Sequence, residues 1–165
     1  MTPVLSEFGD RLSIYLNDHL AGSTAGLELA HRAASNNEGT PYGRVLTEVA
    51  GEIAEDREAL IEVMARLSVD RDRVKVVAAW AVEKVGRLKP NGSLLSYSPL
   101  SRLVEIEGLA LGVDGKLSLW QSLKVSHGDD PRLRGVDLDG LINRARSQRR
   151  RLERQRRRAA DEALR

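Results

Sequence analysis

The 165-residue chain has no cysteine and one phenylalanine, and its aromatic residues total only 4%. Without thiols there can be no disulfide, no thiolate nucleophile and no cysteine metal site. Scarce aromatics disfavour sheets, which draw on β-branched and aromatic side chains. No apolar run approaches the roughly 20 residues that a membrane-spanning helix needs. The opening Met1-Thr2-Pro3-Val4-Leu5-Ser6-Glu7 has neither a basic nor an apolar leader region, so we expect a cytoplasmic protein without a signal peptide. A phosphate-binding Gly-x-x-x-x-Gly-Lys-Ser/Thr loop, a Gly-x-Ser-x-Gly elbow and a strand leading into a dinucleotide motif are all missing. A catalytic function has no motif to stand on.

What is present is the diet of long helices: Ala, Leu, Val, Glu and Arg, with 41% hydrophobic and 30% charged residues. The net charge of +2 conceals a strong polarity along the chain. Residues 1–67 carry −6, residues 68–131 carry +1 and residues 132–165 carry +7. Either the tail meets an acidic partner or the two ends pair with each other.

Helix starts and stops are legible. Thr2-Pro3, Thr40-Pro41 and Ser98-Pro99 each set a capping hydroxyl before a proline at the first helical position. Stops follow at Asn36-Asn37-Glu38-Gly39, Lys89-Pro90-Asn91-Gly92 and His127-Gly128. Between them apolar residues recur every three or four positions, which predicts long helices over about 3–35, 41–67, 99–126 and 136–164. A shorter helix over about 70–88 would carry the chain back along the bundle. The expected fold is therefore all-α, a single domain spanning 1–165, with four long helices and a crossover helix between the second and third.

Four positions on the predicted seams are polar, one per long helix: His19, Asp56, Asp114 and Gln148. Counted from the helix ends, each lies near the middle. Buried polar groups persist only when paired, so these four predict a hydrogen-bonded layer at the bundle centre. The sharper alternative is a metal or ligand site, with Glu52 and Glu107 as further oxygen donors to His19, Asp56 and Asp114. Two small-residue patches, Ala21-Gly22-Ser23-Thr24-Ala25-Gly26 and Gly108 with Gly112, would let helices approach closely and would leave a cavity beside His19. Glu105, Glu107 and Asp114 around the second patch exclude a membrane role for its Gly-x-x-x-Gly spacing.

This layout resembles the ferritin-like superfamily, in which a long crossover joins the second and third of four long helices. The resemblance implies a di-iron centre built from two Glu and two Glu-x-x-His motifs. The chain has no Glu-x-x-His; its second helix reads Glu52-Ile53-Ala54-Glu55-Asp56. A divalent metal or iron is accordingly expected to be substoichiometric or absent.

The last helix is rich in arginine: nine of the fifteen residues from Arg144 to Arg158. Its inner arginines would pair with the acidic second helix, Glu48, Glu52, Glu55, Glu58 and Glu62. Arg146, Arg150, Arg154 and Arg157 are the candidates for holding an anion, either nucleic acid phosphate or an acidic protein. The expected function is a non-catalytic interaction or scaffold protein that forms homo-oligomers, with metal binding and anion binding as alternatives.

Overall fold

The computed structural model describes residues 3–71 and 97–165. Within them are four long α-helices and no strand: α1 (Pro3–Asn36), α2 (Gly43–Arg66), α3 (Pro99–His127) and α4 (Leu138–Leu164), with a 3-10 turn at Pro131–Leu133 before the last. The crossover helix expected over 70–88 falls almost wholly outside the described residues. So do Thr2 and the Lys89–Gly92 stop. No helix among the described residues is long and apolar enough to cross a membrane.

The helix ends show which sequence signals acted. Ser98 is an extended N-cap whose hydroxyl accepts from the Ser101 amide at 3.1 Å, completing a capping box ahead of Pro99. Asp137 caps α4, accepting from the Gly140 amide at 2.8 Å, so this helix starts two residues later than expected. Thr40-Pro41 does not begin α2. The Thr40 hydroxyl instead donates to the Asn37 carbonyl at 2.7 Å and accepts from the Tyr42 amide at 3.2 Å, and the helix starts at Gly43. Gly43 is required there, because a Cβ would collide with the Asn37 carbonyl. At its far end α2 closes in a Schellman turn. The Ser68 amide donates to Ala65 O at 3.1 Å and the Val69 amide to Met64 O at 2.9 Å, with Ser68 at φ 57° where glycine is usual.

Two hairpins make the bundle. α1 packs along α2, α3 packs along α4, and α1 also packs against α3. Asn37 bonds Arg102 at one end of the α1–α3 contact, and Gly108 lies against Leu29 farther along, so these helices run antiparallel. On α2 the residues that the three-and-four spacing puts on one seam are all buried: Leu46, Val49, Ile53, Asp56, Leu60, Val63 and Leu67. On α4 Leu138, Leu141, Ala145, Gln148, Leu152 and Ala159 are buried, and Gln155 on the same line is half-buried.

The other two seams need correction. On α1 the spacing of three and four residues predicts a line through Tyr15, His19, Leu29 and Ala33. Leu29 and Ala33 are buried as expected, but in the first half of the helix the buried residues are Leu16 and Leu20, one position beyond Tyr15 and His19. On α3 Leu103, Ile106, Leu109, Val113 and Trp120 of the expected broad stripe are buried, but its centre is rotated away from Glu107, which is exposed, and Asp114, which lies on the flank. Both helices carry glycines on the misjudged side, and a glycine contributes no hydrophobic signal to the stripe.

The core divides into two apolar clusters. One gathers Leu29, Tyr42, Leu46, Val49, Ile53, Ile106, Val113 and Leu152. The other gathers Leu16, Leu20, Leu60, Met64, Leu119, Trp120, Leu141 and Ala145. Along the chain, Asp56 falls between Ile53 and Leu60, Lys116 between Val113 and Leu119, and Gln148 between Ala145 and Leu152. The polar residues of three helices thus mark the boundary between the clusters.

Candidate functional site: a charged layer beside a glycine-walled cavity

At that boundary the Asp56 carboxylate is 2% exposed and receives donors from two helices. The Lys116 ammonium of α3 is bound to its Oδ2, and Gln148 of α4 donates from Nε2 to the same oxygen at 3.0 Å. Lys116 also donates to Gln148 Oε1 at 2.6 Å, closing a three-membered ring of hydrogen bonds. Arg144 of α4 donates to Asp56 Oδ1 at 2.7 Å and to Glu55 Oε2 at 2.7 Å, so its guanidinium bridges the layer to the surface. Burial pushes the Lys116 amine below its ordinary pKa, and the Asp56 carboxylate opposes that shift. Each partner is needed: a buried carboxylate survives only with its hydrogen-bonding positions filled.

Of the four residues expected to form this layer, Asp56 and Gln148 meet. Asp114 and His19 do not join them, and this corrects the expectation. Asp114 sits on the side of α3 that faces Arg149, whose Nε donates to both carboxylate oxygens at 2.8 and 2.9 Å. His19 is half-buried and stacks edge-on against Tyr15, ring centroids 4.6 Å apart. Burial lowers its pKa below 6.5, partly offset by Asp18, so the ring is neutral at pH 7.

The expected metal set does not assemble. Among the described residues no three His, Asp or Glu groups come together as ligands. Glu52 is bound by Arg151, Glu107 lies 3.7 Å from Arg156, and Asp56 faces an ammonium and a guanidinium. Cations from the chain itself stand where a di-iron centre would need metal, so the donor set does not fit iron.

Beside the layer, between α1, α2 and α3, lies a cavity of about 210 Å³. Its walls are mostly apolar, from Ile53, Leu60, Leu109 and Trp120 among others, and Asp56 and Lys116 reach it from the layer. His19 lines it too. Five glycines contribute: Gly22 and Gly26 from α1, and Gly108, Gly112 and Gly115 from α3. A Cβ at Gly22, Gly26, Gly112 or Gly115 would meet nothing within 4 Å, whereas one at Gly108 would press on Leu29 at 3.1 Å. Only Gly108 is therefore explained by close helix approach. Trp120 is fully buried, and its indole N–H has no hydrogen-bond partner.

The arginines of α4 divide by face. Arg144 and Arg151 turn to α2, meeting Glu55, Asp56, Glu48 and Glu52; Arg149 and Arg156 meet Asp114 and Glu107 of α3. Two acidic residues expected to take part are engaged elsewhere: Glu58 pairs with Arg57, and Glu62 with Arg66. On the outer face Arg146, Arg150, Arg154 and Arg157 are exposed. Arg157 bonds Glu153 of its own helix at 2.8 Å.

Sequence reasoning missed Lys116 and a second polar cluster at the α1–α2 turn. There the Asn37 amide, fully buried, donates to Ala33 O at 2.8 Å and the Tyr97 hydroxyl at 2.7 Å, and accepts from Arg102 at 2.6 Å. Arg102 lies 4.6 Å over the Tyr42 ring and also reaches Glu162 of α4 at 3.1 Å, so the cluster joins both hairpins. Only the asparagine pair at the helix stop hinted at it.

No family model, no curated protein and no solved structure matches this chain.

Proposed function

We propose that this chain is a non-catalytic interaction protein that holds the phosphate backbone of a nucleic acid against the outer face of α4. One observation carries the reading. Arg146, Arg150 and Arg154 form an exposed row in which none has an ion pair to a described residue, while the arginines on the inner faces are engaged. Successive members rise about 6 Å along the helix. Guanidinium groups suit phosphate because they bond it bidentately. A protein partner would require apolar or aromatic anchors at the centre of the face. Here the neighbours are Arg149, Glu153 and Arg157. A membrane surface would need a buried apolar stripe on the same side. Residues 138–165 contain no aromatic for base stacking, so the contact is with backbone phosphate and independent of sequence.

The test is fluorescence anisotropy of a labelled duplex over a salt series. Binding should weaken with a log–log slope of about −0.9 per phosphate contact. Replacing Arg146, Arg150 and Arg154 with Gln should reduce that slope by about 2.7 while the melting temperature holds. An unchanged slope, or capture of polyglutamate but not duplex, would overturn the reading.

The bundle supports a ferritin-like layout as well. Arg66 at the end of α2 donates to the carbonyls of Arg132 at 3.3 Å and Arg134 at 3.1 Å, just beyond the end of α3. Helices that end at one level need a long connection between them, as in that superfamily. The di-iron chemistry is not part of this reading.

A further inference from the structure

We propose that the glycine-walled cavity binds a small aromatic carboxylate, its ring between α1 and α3 and its acid group at Trp120 and Lys116. Four observations converge on this.

The first is the glycines. An interior helical glycine is less stable than alanine, because it loses more backbone freedom on folding. Gly22, Gly26, Gly112 and Gly115 all lie inside long helices, and none is required by a neighbour, since a Cβ at each would enter open space. Packing and backbone conformation leave these four unexplained. Space for a guest explains them.

The second is the Trp120 indole N–H, a donor in a fully buried side chain that lines the cavity and has no partner. A buried unpaired donor carries its full desolvation penalty, and a ligand oxygen would satisfy it.

The third is the polarity of what remains. Asp56 already accepts from Arg144, Lys116 and Gln148. Lys116 has three N–H groups and uses two, on Asp56 and Gln148. One Lys116 N–H is therefore left over, and because Lys116 and Trp120 both line the cavity, the spare groups of its buried wall include two donors that a ligand acceptor would satisfy. The buried charges agree: Lys116 and Arg144 share the single carboxylate of Asp56, with the partner Glu55 68% exposed on the surface. Asp18 also lines the cavity, but it is exposed to solvent, where its charge is screened.

The fourth is size. A dry cavity of about 150 Å³ accepts benzene. The 210 Å³ here admits one ring with a carboxylate. Gly22 and Gly112 are exposed at its rim, so entry lies between α1 and α3.

Benzoate is the probe, and amide NMR with the indole region is the readout. The Trp120 indole resonance, assigned by its loss in Trp120→Phe, should shift and saturate with a dissociation constant of about 1 mM or tighter. Toluene, the same ring without the acid, should bind at least about tenfold more weakly. Gly115→Leu places a side chain in the open space; it should keep or raise the melting temperature and weaken benzoate at least about tenfold. Trp120→Phe keeps most of the volume but loses the donor, and calorimetry should show about tenfold weaker binding even if Gly115→Leu fails to fold. The proposal is overturned if benzoate leaves the indole resonance unmoved at about 10 mM. Undiminished affinity in a folded Gly115→Leu protein would also overturn it, as would toluene binding as tightly as benzoate.

Discussion

Lys116 Nζ lies 2.6 Å from Gln148 Oε1, and both side chains are bound to the same oxygen of Asp56. The amide of Gln148 thus serves the layer twice, accepting from the ammonium and donating to the carboxylate. An apolar residue at 148 could do neither.

Removing the carboxylate should be far more damaging than removing the pair. Asp56→Ala leaves the buried Lys116 ammonium uncompensated, and urea denaturation should show a loss of about 3–5 kcal/mol. The double variant Asp56→Leu with Lys116→Met should recover a substantial part of that loss, because two apolar groups demand no partner. If the double variant is as unstable as the sum of the singles, the layer is not a coupled unit.

His19 predicts a pH dependence. Its folded-state pKa lies below the 6.5 of the unfolded chain, mainly through burial. Between those values the unfolded chain binds more protons, so stability rises with pH through this window and is lost as pH falls below about 6.5. Melting temperatures at pH 7 and pH 5 should therefore differ more in the native chain than in His19→Gln. Equal differences would show that the ring is not desolvated.

A separate acid limb should appear at lower pH. Hydrogen bonds from Arg156 and Arg157 hold Glu153 down to about 2, and those from Arg132 hold Asp130 down to about 2. Depressed carboxylate pKa values give stability that is present above the unfolded values near 4 and lost as pH falls towards 2. Glu153→Gln should flatten the dependence of melting temperature on pH over that interval, and salt should weaken the limb because both groups face solvent.

Ser68 holds a left-handed backbone, φ 57°, at the Schellman turn that ends α2. Ser68→Gly should relieve the strain at its Cβ and stabilise the chain by about 0.5–1 kcal/mol, seen as a higher urea midpoint at unchanged slope. Ser68→Val should do the reverse, since a β-branched side chain tolerates that conformation poorly.

The cavity glycines offer a stability test of their own. Gly26→Ala and Gly115→Ala each add a Cβ where nothing lies within 4 Å. Each should raise stability by about 0.5–1 kcal/mol through helix propensity alone. Gly108→Ala should gain less or lose, because its Cβ would press on Leu29.

The sequence by itself determined that the described residues form four long helices, where α1 and α3 begin, where all four end to within about one residue, and which faces of α2 and α4 are buried. On α2 a dense aliphatic stripe is broken once, at Asp56, and on α4 a narrow one is broken at Gln148 and Gln155; a period of three and four residues is enough to place both. It also pointed to open space beside His19 through two patches of small residues. Tertiary structure alone decided the rest. Glycine and alanine leave the stripes of α1 and α3 broad and faint, so their rotation is set by packing against α2 and α4. A shift of one residue moved His19 from the seam to the cavity wall, while the packed face of α3 left Asp114 at the surface. Lys116 was invisible as the partner of Asp56 because a lysine between apolar residues reads as a solvated side chain. Only when three helices meet at one level does its long stem bring the ammonium to the carboxylate, and the energy of that buried pair belongs to no single helix.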